Sequence, residues 1–127
     1  MVKILIADDN PMIRQLYSLE FEADGFEIVT AENGAEAVEQ CREHKPDAVV
    51  LDIGMPEQSG LDVLSEIASM HGGTPVIVNT AYPLFKFDYR AHRASAWVEK
   101  TSNLDSLKQA VQQAIARAGG KSSVEKD

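Results

Sequence analysis

An α/β fold, with five parallel strands covered by helices on both faces, is what this sequence predicts, and three patterns carry the prediction. Short apolar runs rich in β-branched residues, such as VKILIA at Val2 to Ala7 and AVVL at Ala48 to Leu51, suit strands buried on both sides. Between such runs lie longer stretches whose apolar residues recur at helical period. Strand and helix signals alternate along the chain, which implies right-handed βαβ crossovers and one parallel sheet.

The first strand, Val2 to Ala7, ends at Asp8-Asp9-Asn10. Pro11 suits the first turn of the following helix, because its missing N–H would have no partner there. Asp9 or Asn10 is placed to cap that helix. Ile13, Leu16, Tyr17 and Phe21 supply its apolar stripe, and Asp24-Gly25 stops it. For Met12 and Tyr17, packing is favoured over partner docking. Phe26 to Ala31 (FEIVTA) is a second strand, and its more alternating pattern suits a sheet edge. After the Asn33-Gly34 turn, a helix from Ala35 to His44 points Ala37, Val38 and Cys41 inward, and Pro46-Asp47 leads into the third strand, Ala48 to Leu51. A third helix carries Leu61, Val63, Leu64, Ile67 and Ala68 and ends at His71-Gly72-Gly73. Pro75 to Asn79 is the fourth strand, running into Thr80-Ala81, and Ala96 to Glu99 is the fifth, followed by Lys100. Asn103 or Thr101 caps a last helix with Leu104, Leu107, Val111 and Ile115 on one face, ending at Gly119-Gly120. Residues 1–118 are therefore expected to form one domain, with 119–127 as a flexible C-terminal tail.

The 127 residues suffice for one domain with a proper core. A formal net charge of −8, with no basic cluster to offset it, argues against direct nucleic-acid binding. The single cysteine, Cys41, excludes an internal disulfide and fits a reducing compartment, and its helical spacing with Ala37 and Val38 assigns it to packing. No apolar run is long enough to cross a bilayer and no signal-peptide pattern opens the chain, so a cytoplasmic location is expected.

Strand order is not legible in the pattern alone, but five strands and five helices in this length suit the flavodoxin-like order 2-1-3-4-5, with its switch point between strands one and three. In that order Asp8, Asp9 and Asp52 converge. Every candidate polar group then falls at the carboxyl end of a strand: Asp8-Asp9, Asp52, Thr80 and Lys100. Crowded carboxylates repel, and a hard divalent cation bound through oxygens relieves the repulsion; magnesium often takes few protein carboxylates and completes its shell with phosphate oxygens. A hydroxyl and an ammonium nearby suit the remaining oxygens of a phosphoryl group. A carboxylate is itself a nucleophile able to form an acyl phosphate. Unrelated solvated residues at loop starts are the simpler account, against which five coincidences of residue type and placement count.

The ordered set of Asp8-Asp9 after ILIA, Asp52-Ile53-Gly54-Met55-Pro56 with Gly60 beyond, Thr80-Ala81, and Lys100 after WVE resembles the receiver domain of two-component response regulators, from Lys3 to about Ala118. The resemblance implies a signalling switch rather than an enzyme acting on a separate substrate. By position, Asp52 would accept a phosphoryl group from a phosphohistidine on a sensor kinase or a histidine phosphotransfer protein. Asp9, Asp52 and the Gly54 carbonyl would bind Mg2+ directly, with Asp8 acting mainly through a water. Thr80 and Lys100 would hold phosphoryl oxygens, helped by the Ala81 amide. Thr80 and Trp97 would be the switch residues, although a strand tryptophan is also an ordinary core aromatic.

The sequence departs from the family pattern in three places. Thr101 follows Lys100 where the family has a proline after a cis bond; cis to a non-proline residue costs about 2.5–4 kcal/mol, so trans is expected. Arg93 stands where a glycine is common, and the span from Thr80 to Lys100 is shortened, with Pro83 near its start. Within Tyr82 to Arg93 the aromatics Phe85, Phe87 and Tyr89 alternate instead of sharing a helical face, so a short or irregular fourth helix is expected. The resemblance also implies that the positions two residues past Asp52 and Thr80 flank the path of an attacking water, which Gly54 would leave open and Tyr82 would partly cover. Three other functions compete: a phosphorelay carrier, a magnesium-dependent phosphohydrolase, and a binding module that is never phosphorylated. The hydrolase would need a second acid placed as general acid–base and a substrate pocket, and neither is evident in the sequence.

Overall fold

The computed structural model describes residues 1–54, 60–81, 93–100 and 103–126. In chain order these form β1 (Lys3–Ala7), α1 (Pro11–Ala23), β2 (Glu27–Ala31), α2 (Gly34–His44), β3 (Ala48–Leu51), α3 (Gly60–Ala68), a 3-10 turn (Met70–Gly72), β4 (Val76–Thr80), β5 (Ala96–Glu99) and α4 (Asp105–Lys126). The five strands pair in parallel, in the order β2-β1-β3-β4-β5. The flavodoxin-like order expected from the sequence is thus observed, with β2 at an edge. The predicted irregular fourth helix, with Tyr82, Phe85, Phe87 and Tyr89, and the Lys100–Thr101 bond lie outside the described residues.

Local chemistry accounts for the helix starts. The Asn10 side chain accepts the amides of Met12 (2.9 Å) and Ile13 (3.4 Å), with Pro11 in the first turn of α1. Asn33 accepts the amide of Glu36 at 2.8 Å to start α2, and Asn103 accepts that of Asp105 at 2.8 Å ahead of α4. Each cap satisfies a donor that has no partner inside its helix.

Two apolar layers sandwich the sheet. One joins Leu5, Val49, Leu51, Val76 and Val78 to α2 and α3 through Ala37, Val38, Cys41, Leu61, Leu64 and Ile67. The other joins Ile4, Ile6, Val50 and Ile77 to α1 and α4 through Tyr17, Phe21, Leu107, Val111 and Ala114. β1, β3 and β4 sit between the layers, and their residues are buried almost throughout, as their unbroken apolar runs require.

Two expectations need correcting. Leu16, assigned to the inward stripe of α1, is 47% exposed, while Tyr17 and Phe21 are buried. At about 100° of turn per residue, Leu16 lies roughly a quarter turn from Tyr17 and shares a face with Met12 and Leu19 instead. The last helix was expected to stop at Gly119-Gly120, but α4 runs to Lys126. Glycine costs a helix interior about 1 kcal/mol relative to alanine, yet it keeps its N–H and, unlike proline, does not block the turn. Packing against the sheet nevertheless ends near Ile115, because Ala116, Arg117 and Ala118 are exposed.

Candidate functional site

The β1–β3 register pairs Ala7 with Leu51, so the next residues, Asp8 and Asp52, emerge side by side at the carboxyl edge of the sheet. The Asp52 amide continues that pairing by donating to the Ala7 carbonyl at 3.0 Å. On the other side of β3, β4 brings Thr80 to the same edge, and β5 pairs Glu99 with Thr80. The Lys100 amide donates to the Thr80 carbonyl at 2.9 Å, which carries the β4–β5 link one residue further towards the acids.

Lys100 joins the two buried carboxylates. Its Nζ lies 2.7 Å from Asp8 Oδ2 and 2.9 Å from Asp52 Oδ2. The other oxygen of each acid accepts a backbone amide two residues on: Asn10 to Asp8 Oδ1 and Gly54 to Asp52 Oδ1, both at 2.9 Å. Asp8 and Asp52 are only 2% and 6% exposed, whereas Asp9 is open to solvent. One carboxylate oxygen from each of Asp8, Asp9 and Asp52 lies within 4.8 Å of the others. Three all-oxygen donors at that spacing match the preference of a hard divalent cation, so the residues present fit Mg2+.

Burial pushes the Asp8 carboxyl above its ordinary value, against the lowering contacts with Lys100 and the Asn10 amide. Burial also opposes the charge on Lys100, but the contacts with Asp8 and Asp52 together outweigh it and hold the ammonium above its ordinary value. The ammonium is therefore charged at neutral pH and offsets part of the repulsion between the acids.

The remaining sequence candidates lie around this core. Thr80 is buried at the end of β4, with Ala81 exposed just beyond it. Gly54 is exposed and its amide faces Asp52, while Met55 and Pro56 lie outside the described residues. Trp97 stands opposite Val78 on β5, half-buried against the α2–α3 layer. Gly60 opens α3 against the Asp52 loop, and a Cβ added there would collide with the Ile53 backbone, so only glycine lets the helix approach so closely.

Two features escaped the sequence reading. Arg14 on α1 donates from Nη1 to the Asp8 carbonyl oxygen at 2.7 Å, bracing the acidic loop. The Tyr17 hydroxyl donates to Asn79 Oδ1 at 2.8 Å beneath the site. The signal for the second was present: Asn79 is a polar residue in an apolar strand, directly before Thr80.

Residues 4–112 match the response regulator receiver domain family. The chain belongs to that family. Among solved structures, the response regulator TrrA of Thermotoga maritima, crystallised with Mg2+ and BeF, is 40% identical; the likeness covers 90% of this chain and 99% of TrrA, with a TM-score of 0.85. TrrA in complex with the histidine kinase ThkA is similar over 90% of this chain and 98% of TrrA, with a TM-score of 0.82 and 40% identity. The transcriptional regulatory protein PdtaR of Mycobacterium tuberculosis is 37% identical over 91% of this chain. The chain spans 57% of the length of PdtaR, and 25% of the length of AtoC of Escherichia coli, which is 39% identical over 89% of this chain. Receiver domains are signalling switches, and the curated relatives are regulators. Among the described residues, no helix is long and apolar enough to cross a membrane.

Proposed function

We propose that this receiver accepts a phosphoryl group on Asp52 from a phosphohistidine of a sensor kinase or phosphotransfer protein, in a reaction that requires Mg2+. The observation that carries the reading is Lys100 Nζ held between Asp8 and Asp52, with Asp9 completing three carboxylates at one sheet edge. In the transfer, a carboxylate oxygen of Asp52 attacks phosphorus as the P–N bond to histidine breaks, and the leaving nitrogen keeps the bonding pair. The Gly54 amide, already on Asp52 Oδ1, keeps the carboxylate oriented for attack. Lys100 neutralises one phosphoryl oxygen and Thr80 binds another, and the exposed Ala81 offers its amide to the same group. Asp9, Asp52 and the Gly54 carbonyl would hold Mg2+, with Asp8 behind them. When bound, the cation offsets the charge that accumulates when a phosphoryl dianion meets three carboxylates.

Occupancy of Asp52 then draws Thr80 towards the phosphoryl group and changes the burial of Trp97, which alters the surface offered to a target. The TrrA complexes with Mg2+ and BeF and with a histidine kinase support the cofactor and the partner class. Residues 1–118 make up the domain proposed to do this, with 119–127 as a tail.

Incubation with Mg2+ and acetyl phosphate, followed by intact-mass measurement, tests the reading. Wild type is expected to gain one phosphoryl group and Asp52→Asn none, because the amide is nearly the same shape but a poor nucleophile. Undiminished labelling of Asp52→Asn would move the phosphosite, and rapid turnover of many donor equivalents would mark a hydrolase instead.

A further inference from the structure

Asn79 is an amide within a strand whose every residue is buried. Its Oδ1 accepts the Tyr17 hydroxyl at 2.8 Å, and its Nδ2 donates to the Val98 carbonyl at 3.2 Å. Both side chains are 2% exposed. Two apolar side chains of similar shape would fill this space without desolvating a hydroxyl and an amide, so the pair is not needed for stability. Directional bonds in a buried setting do something an apolar pair cannot: they set the relative position of the elements that bear them.

Those elements are α1, β4 and β5. Helix α1 begins directly after the Asp8-Asp9 loop, Thr80 is the residue after Asn79, and Lys100 lies two residues beyond Val98. One buried amide therefore ties together the three segments that deliver the acidic loop, the hydroxyl and the ammonium. The Tyr17 hydroxyl is near enough to the site to feel the charges of Lys100, Asp8 and Asp52. We propose that Tyr17 and Asn79 are positioning residues that hold Thr80 and Lys100 in place relative to the Asp8-Asp9 loop, and thereby set how fast Asp52 is phosphorylated. The inference rests on the reading of Asp52 as the acceptor.

The test compares wild type, Tyr17→Phe, Asn79→Leu and the double variant in three measurements: thermal melting, Mg2+ affinity by calorimetry, and the rate of labelling by acetyl phosphate. Each single substitution leaves a buried polar partner unpaired, so each should melt lower than wild type; the double variant should regain the share due to the Tyr17–Asn79 bond, while the Val98 carbonyl stays without its side-chain donor. Labelling of the double variant should nevertheless stay about tenfold slower, since misplacing reacting groups by an ångström costs up to roughly a hundredfold. Its Mg2+ affinity should match wild type. If labelling recovers along with melting, the pair is merely structural and the inference is overturned. If the double variant does not fold, Tyr17→Phe alone decides, because it removes a single oxygen: slower labelling at unchanged Mg2+ affinity supports positioning, and the wild-type rate rejects it. Failure of wild type itself to label would overturn the acceptor reading and this inference with it, a result visible before any variant is compared.

Discussion

Asp8 and Asp9 are neighbours in sequence, yet their surroundings differ. Asp9 faces solvent, whereas Asp8 is buried beside Asp52. Because burial raises the Asp8 carboxyl above its ordinary 3.8, its contribution to stability is fully present below that pH and is lost as pH rises through the folded value. At neutral pH the ionised carboxyl therefore opposes folding, chiefly because burial strips its charge of water. Asp8→Asn should raise the melting temperature of the metal-free protein at pH 7 while reducing the further rise that Mg2+ produces in wild type. Melts with and without Mg2+ check both halves. A wild-type midpoint that does not respond to millimolar Mg2+ would count against the metal site, since a ligand bound only by the folded state must stabilise it.

At the scale of elements, α1 presents two apolar faces. Tyr17 and Phe21 pack on the sheet, while Met12 (78% exposed), Leu16 and Leu19 (60% exposed) lie on a second face at i, i+4 and i+7. That outer face starts beside the acidic loop, where a phosphohistidine would approach in the proposed transfer. Leu16→Asp should therefore slow phosphotransfer from a histidine kinase that labels wild type by roughly tenfold or more, as for loss of a central interface anchor. It should leave labelling by acetyl phosphate unchanged, and equal loss with both donors would show damage to the site instead. Helix α3 makes a different prediction. Gly60→Ala drives a methyl into the Ile53 backbone, so it should lower stability by about 1–3 kcal/mol, the usual range for overpacking. The shift of the Asp52 loop should also slow labelling, and denaturant titration with the labelling assay reads both effects.

Over the whole molecule, four described groups besides Asp8 are raised above their ordinary values: Tyr17, Cys41 and Lys108 on α1, α2 and α4, and Lys100 just after β5. Burial raises the Cys41 thiol and the Tyr17 hydroxyl. The carboxylates of Asp8 and Asp52, overcoming burial, raise Lys100, and Glu20 and Asp24 raise Lys108 where it bridges α4 to α1. Each raised group contributes stability that is complete below its ordinary pKa and is lost as pH climbs through the folded value. The ordinary values run from 9.0 for Cys41 to 10.5 for the lysines, so from neutral pH these groups should hold stability level up to about pH 9 and lower it beyond. Denaturant midpoints between pH 7 and 11 test this. Cys41, wholly buried against Ala37 and Val38, should react with a thiol reagent only as fast as the protein opens.

The sequence by itself determined the strands, the order of strand and helix, and which polar residues stand at the strand ends. β3 and β5 begin and end where the sequence reading put them, and the strand-end residues Asp8, Asp52, Thr80 and Lys100 were legible together with the family they resemble. Such signals are local: a period, a cap or a run of β-branched residues acts within a few positions of the chain. Only the tertiary structure decided which strands are neighbours, and with that Lys100 meeting Asp8 and Asp52, because those pairings span 92 and 48 residues. It likewise decided that Leu16 faces outward, that Gly60 must clear the Ile53 backbone, and that Asn79 in a strand finds Tyr17 on a helix 62 residues earlier. Partners so far apart in sequence leave no periodic trace in it. They are selected by how the packed layers bring side chains together, where a buried polar group left without a partner would cost more than the bond itself contributes.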